Sequence, residues 1–143
     1  MSFRRFAILA PMALFLLVGC SASEKGERKA STFSAIDAAD TVSFTGTEPF
    51  WGGEVADGTM LYRTPENVDG TRLAVARFAG NSGVSFSGEL QETSVDLMVT
   101  RGECSDGMSD RIYPFTATLK LGAEVRMGCA WTDRRPFEGP QTP

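Results

Sequence analysis

The sequence predicts an all-β domain, a small antiparallel β-barrel of eight strands, and three observations predict it. Short runs alternate apolar and polar residues with period two, as a half-buried strand requires. Clusters of Gly, Asp, Asn, Ser and Pro separate the runs. The runs recur about every ten residues, a spacing typical of sandwiches and closed barrels. A two-sheet β-sandwich is the runner-up fold.

The first run, residues 41–45 (TVSFT), alternates cleanly. Residues 50–55 follow and end at Asp57-Gly58, a pair that tolerates positive φ at both central positions of a hairpin. The third run, 60–63, is closed by Pro65 and a turn signal at Asn67-Val68-Asp69-Gly70. Residues 71–78 form the fourth, closed by Gly80-Asn81-Ser82-Gly83. Residues 84–87 and 95–100 are the fifth and sixth, and a loop from Gly102 to Arg111 interrupts the pattern. Residues 115–121 alternate almost perfectly, Gly122-Ala123 turns, and 125–131 form the eighth run. A barrel of this size either fills its interior with side chains or holds one small ligand.

The segment before the strands has a different character. Arg4 and Arg5 precede a charge-free apolar stretch over residues 6–19. That is the positive and apolar pair of regions of a signal peptide, too short to span a bilayer core. It ends in Leu17-Val18-Gly19-Cys20, which resembles the lipobox of bacterial lipoproteins. The resemblance implies acylation of the Cys20 thiol, cleavage after Gly19 and anchoring in a membrane. Ser21 in place of Asp favours the outer membrane, facing the periplasm. The expected organisation is a signal peptide over 1–19, the lipidated cysteine and a flexible tether over 20–40, the barrel over 41–132 and a loose tail over 133–143. The last ten tether residues are compatible with a short helix.

Cleavage removes two arginines and takes the net charge from −4 to −6. An acidic surface argues against nucleic acid, which needs a basic footprint. The absence of histidine removes His triads and His metal sites. Nothing in the chain points to a cofactor. Two cysteines remain beyond Cys20, and an even remainder in an oxidising compartment reads as a disulfide between Cys104 and Cys129. A thiol metal pair without His would be a poor site. Strand parity brings the two thiols to one barrel end. Met60, Met98, Met108 and Met127 follow no regular spacing, so they read as core packing rather than a soft-metal site.

Two stretches carry candidate chemistry. In Gly46-Thr47-Glu48-Pro49-Phe50-Trp51, Pro49 gives a rigid start to a strand, and Phe50 and Trp51 fall on opposite faces. Trp51 reads first as core and Glu48 as a local cap. The alternative places both at a barrel mouth, holding a ligand. In the stretch from Cys104 to Arg111 (CSDGMSDR), Asp106 and Asp110 offer carboxylates to Arg111, and Gly107 is suited to positive φ. This loop reads first as a self-bonded plug of one barrel end, and second as an oxygen-rich ligand site. Its spacing does not fit an EF-hand. Parity places the two stretches at opposite ends.

These stretches, with residues 61–66 (LYRTPE) and Gly128-Cys129-Ala130, resemble an uncharacterised family of small bacterial lipoproteins and periplasmic proteins. The resemblance runs from Phe44 to Ala130 and supports the fold and the disulfide while supplying no mechanism. The expected function is therefore a membrane-anchored, non-enzymatic envelope module that binds a protein or a small molecule. A lysozyme-type inhibitor is the alternative, by analogy of form and charge. A hydrolase using Glu48, Asp106 and Asp110 is the weakest reading, since no spacing demonstrates a carboxyl pair.

Overall fold

The computed structural model describes residues 31–141, so the signal segment, Cys20 and the start of the tether lie outside the described residues. Eight antiparallel strands close into one barrel in chain order. They are β1 (Val42–Thr47), β2 (Phe50–Ala56), β3 (Thr59–Thr64), β4 (Asn67–Ala79), β5 (Gly83–Leu90), β6 (Thr93–Cys104), β7 (Tyr113–Leu121) and β8 (Glu124–Thr132). β1 pairs with β8 over Val42–Thr132 to Thr45–Cys129, which shuts the barrel and leaves a barrel rather than a sandwich.

Alternation decides which side chains fill the interior. Val42 and Phe44 of β1, Trp51 and Val55 of β2, Met60 and Tyr62 of β3, and Leu73 of β4 point into one cluster. Val84 and Phe86 of β5, Val95, Leu97 and Val99 of β6, Phe115, Ala117 and Leu119 of β7, and Ala130 of β8 complete it. Burying such a set removes most of their apolar surface from water, at about 25 cal/mol per Å².

Local chemistry sets the turns. Asp57 and Gly58 both take positive φ, as a two-residue hairpin requires. Gln91 and Glu92 do the same between β5 and β6 without a glycine. The turn expected over 67–70 is instead strand, and the chain reverses at Pro65-Glu66. The Asx chemistry is still present there: the Asn67 Oδ1 accepts the Gly70 N–H at 3.2 Å, beside a register shift in the β3–β4 ladder. Gly70, at φ 79°, supplies an irregularity rather than a reversal.

Three expectations about the ends are corrected. Residues 31–40 are not loose tether and form no helix. Ala35 and Ile36 belong to the barrel core and Phe33 packs against it, because their apolar groups gain burial over the open barrel end. Arg77 donates to the Ile36 carbonyl at 2.8 Å and fixes that plug. Residues 133–141 are not a loose tail. Arg134 forks onto buried Asp40, whose carboxyl its hydrogen bond holds below the usual range, and Glu138 bridges Ile112. The Gly102–Arg111 loop does not plug the barrel. That position is taken by Phe33–Ile36, and the loop lies on the outer wall.

Candidate functional site

Both motif stretches meet where the end of β1 lies beside Cys129 of β8, from opposite sides of the wall. Trp51 pairs in register with Gly46 and lies inside, 3% exposed. Its ring packs against Phe44 at 5.6 Å between centroids. A Cβ on Gly46 would sit 2.0 Å from the indole Nε1, and one on Gly128 would sit 2.9 Å from its Cζ2. Two glycines on neighbouring strands thus make the slot that the indole fills. Gly46 belongs to the EPFW stretch and Gly128 to the closing GCA, so those motifs form one packing unit. The Nε1 is buried without a hydrogen-bond partner. An unpaired buried donor costs about 1–3 kcal/mol, so the packing gained by the ring outweighs it here.

Above this slot the mouth is closed by a polar group that sequence reasoning missed. Arg126 alternates onto the inner face with Gly128 and Ala130. It forks onto Glu124 at 2.8 and 3.1 Å and donates to the Tyr62 hydroxyl at 2.8 Å. Burial pushes the Tyr62 hydroxyl up. The signal was available only as an arginine at an inward position of a strand.

The other stretch lies outside. Cys129 alternates with Ala130 and so faces away from the core, yet it is almost fully buried. What covers it is the β6–β7 hairpin. β6 carries one extra residue between its Arg101–Phe115 and Cys104–Tyr113 pairings. This bulge, with Pro114 opposite, bends the hairpin end back over β8 and β1. The Cys104–Cys129 disulfide, 5.6 Å between Cα atoms, pins it there. Tyr113 leaves the barrel core and stacks on Trp131 and Phe137 in a second aromatic cluster.

Asp106 organises this loop. Its Oδ1 accepts the Met108 and Ser109 N–H groups at 3.0 and 2.8 Å. Its Oδ2 accepts the Ser109 and Tyr113 hydroxyls at 2.7 and 3.0 Å. Burial pushes this carboxyl up, but the four donors together outweigh it and hold the pKa down to about 2. Gly107 takes the positive φ expected of it. Arg111 does not pair with Asp106, Asp110 or Glu48. Its guanidinium donates to the Pro140 and Gln141 carbonyls and lies 4.5 Å over the Phe137 ring. The tail, whose path the sequence does not reveal, supplies those partners. Asp110 and Glu48 are exposed.

The two stretches do touch, against the expectation from parity. The loop climbs the wall far enough for the Thr47 hydroxyl to donate to the Asp106 carbonyl at 3.3 Å. Their functional side chains still do not converge: Trp51 is inside, and Asp106, Asp110 and Arg111 are outside. Beside Trp51 the outer wall carries a shallow groove of 260 Å³ lined by Phe50, Gly52, Arg63, Pro65 and Val68. Phe50 is 51% exposed and Val68 70%. Arg63 stands 4.0 Å from Glu54, a loose surface pair. The groove is an apolar recess at this motif. Phe50 was legible from alternation with Trp51; Val68 was hidden by the turn expected there.

Among the described residues no group of three Cys, Asp or Glu side chains is placed to hold a metal ion. No family model, no curated protein and no solved structure matches this chain.

Proposed function

We propose that this protein is a lipid-anchored module of the bacterial cell envelope that binds a partner on its outer wall and performs no catalysis. The observation that carries the reading is the filled interior. Every strand contributes side chains to one packed cluster, and Ala35 and Ile36 close the lower end. Side chains packed into the interior fill the space that a small barrel would otherwise give to a ligand, which supports binding on the surface. The groove of Phe50, Pro65 and Val68 with Arg63 is the surface of choice, apolar with one cation at its edge. A carboxyl held at about 2 by four donors is a poor general base near neutrality, which supports a structural role for Asp106. The lipobox at Cys20 and the likeness to small envelope lipoproteins support the anchor.

Two measurements test the reading. Mass spectrometry of the protein from its own envelope should find Cys20 as an acylated amino terminus; an unacylated chain removes the anchor. A photocrosslinker at Phe50 should capture a discrete partner in intact envelopes, and Val68→Asp should abolish capture. Equal capture by both proteins removes the groove as the binding surface.

A further inference from the structure

The outer wall carries a second apolar feature that this groove does not explain. Phe78 of β4 stands beside Ser85 of β5, Ser85 beside Met98 of β6, and Met98 beside Thr118 of β7. Residues so paired lie on one face of the sheet, in one row across it. Phe78 is 69% exposed and Met98 53%. Met98 is therefore not the core residue that its type suggests. Between these two large groups the small Ser85 leaves a trough of 160 Å³, with Gly80 and Gly83 at its lower end. No charged side chain interrupts the row. The oppositely charged Asp96 and Lys120 face each other in register two residues further along β6 and β7.

Position decides the occupant. The chain joins the barrel at this same end, where the Phe33 N–H donates to the Gly80 carbonyl at 2.8 Å. Cys20 lies thirteen residues before Phe33, a length that spans at most about 45 Å. An acyl anchor there keeps this end of the barrel near the bilayer and makes a second contact with it intramolecular, so a weak apolar contact is enough. The row also offers little to specify a protein. β5 is paired on both sides, which leaves no free edge along it, and no charge gives an orientation.

We propose that the Phe78–Ser85–Met98 face rests on the lipid bilayer, with acyl segments lying in the trough. This inference rests on Cys20 being the acylated residue. The test uses the full acylated chain in vesicles of phosphatidylethanolamine and phosphatidylglycerol. A polarity-sensitive fluorophore is placed through Phe78→Cys, and in a second protein through Phe50→Cys. Flotation with the vesicles reports the anchor separately. The expected result is flotation of both proteins, a blue shift at position 78 and loss of most of its emission to brominated lipid, with neither change at position 50. Flotation without quenching at 78 overturns the membrane face while leaving the anchor intact. Absence of flotation removes both. A blue shift at 78 in intact envelopes but not in vesicles overturns the proposal in favour of a protein cover.

Discussion

The two faces of β8 are built on different principles. Inward, Gly128 and Ala130 offer almost no side chain, and the space they leave is taken by Trp51. Outward, Cys129 and Trp131 carry the disulfide and an indole ring, and they are covered by chain from elsewhere: a hairpin end and the tail. The inner arrangement depends on what is missing from the strand. The outer one depends on cross-links between segments distant in sequence. Stability inside should therefore respond to added volume, and stability outside to removed partners.

The largest effect expected is on the outer side. Replacing both cysteines by serine in Cys104→Ser/Cys129→Ser removes a closure over a separation of 25 residues. The chain-entropy model puts its loss at about 3.5 kcal/mol. Urea unfolding should show the free energy of unfolding, extrapolated to water, falling by that amount. Amides in β6 and β7 near Leu97 and Leu119 should keep their order of exchange, because the barrel ladder does not pass through the disulfide. Uniform loss of protection would erase the distinction between the two faces.

Gly46→Ala probes the inner side. Its Cβ would meet the indole nitrogen at 2.0 Å, and overpacking of this kind costs about 1–3 kcal/mol. Trp51→Leu in the same chain should relieve most of the added strain, so the pair should be strongly non-additive. Additive melting shifts would mean that Gly46 does not make the slot.

The inner face was largely legible in the sequence and the outer face was not. Period two placed Phe44, Trp51, Leu97, Phe115 and Leu119 inside, since each lies on the alternating apolar set of its run. Asp57-Gly58 declared its hairpin, whereas Gln91-Glu92 did not, having no residue suited to positive φ. Met98 and Met127 read as core by type but follow the outward phase of their strands. Arg111 read as a partner of nearby carboxylates, because sequence shows only neighbours along the chain. Its carbonyl partners lie 29 and 30 residues away, in a segment with no period to place it.

Asp106→Asn should cost about 2 kcal/mol at neutral pH, as hydrogen bonds to a charged acceptor are weakened. The folded pKa of about 2 lies below the ordinary 3.8. The contribution is therefore complete above about pH 4 and is lost as pH falls from there through 2. A comparison of stability against pH should show that this segment of the wild-type curve is flatter in Asp106→Asn. Curves that stay parallel would place the four donors elsewhere.

The smallest effect expected is for Arg111→Ala. A partly exposed guanidinium over one ring, bonded to two tail carbonyls, contributes about 1 kcal/mol. The melting temperature should fall slightly, and protease cleavage after residue 135 should accelerate. A collapse of the fold would show that the outer layer, not the interior, holds the barrel shut.

The plug at Phe33–Ile36 also determines how the domain carries load. A pull on the chain ahead of Ser31 arrives first at the Phe33–Gly80 and Arg77–Ile36 hydrogen bonds, and next at the clamp of Asp40 by Arg134. Only after those give way does tension reach β1, which is held on one side by β2 and on the other by β8. β1 then bears the force along its own length, so several ladder bonds must shear together. The plug is a sacrificial link ahead of a strong one, a shock absorber at the point where the chain enters the barrel.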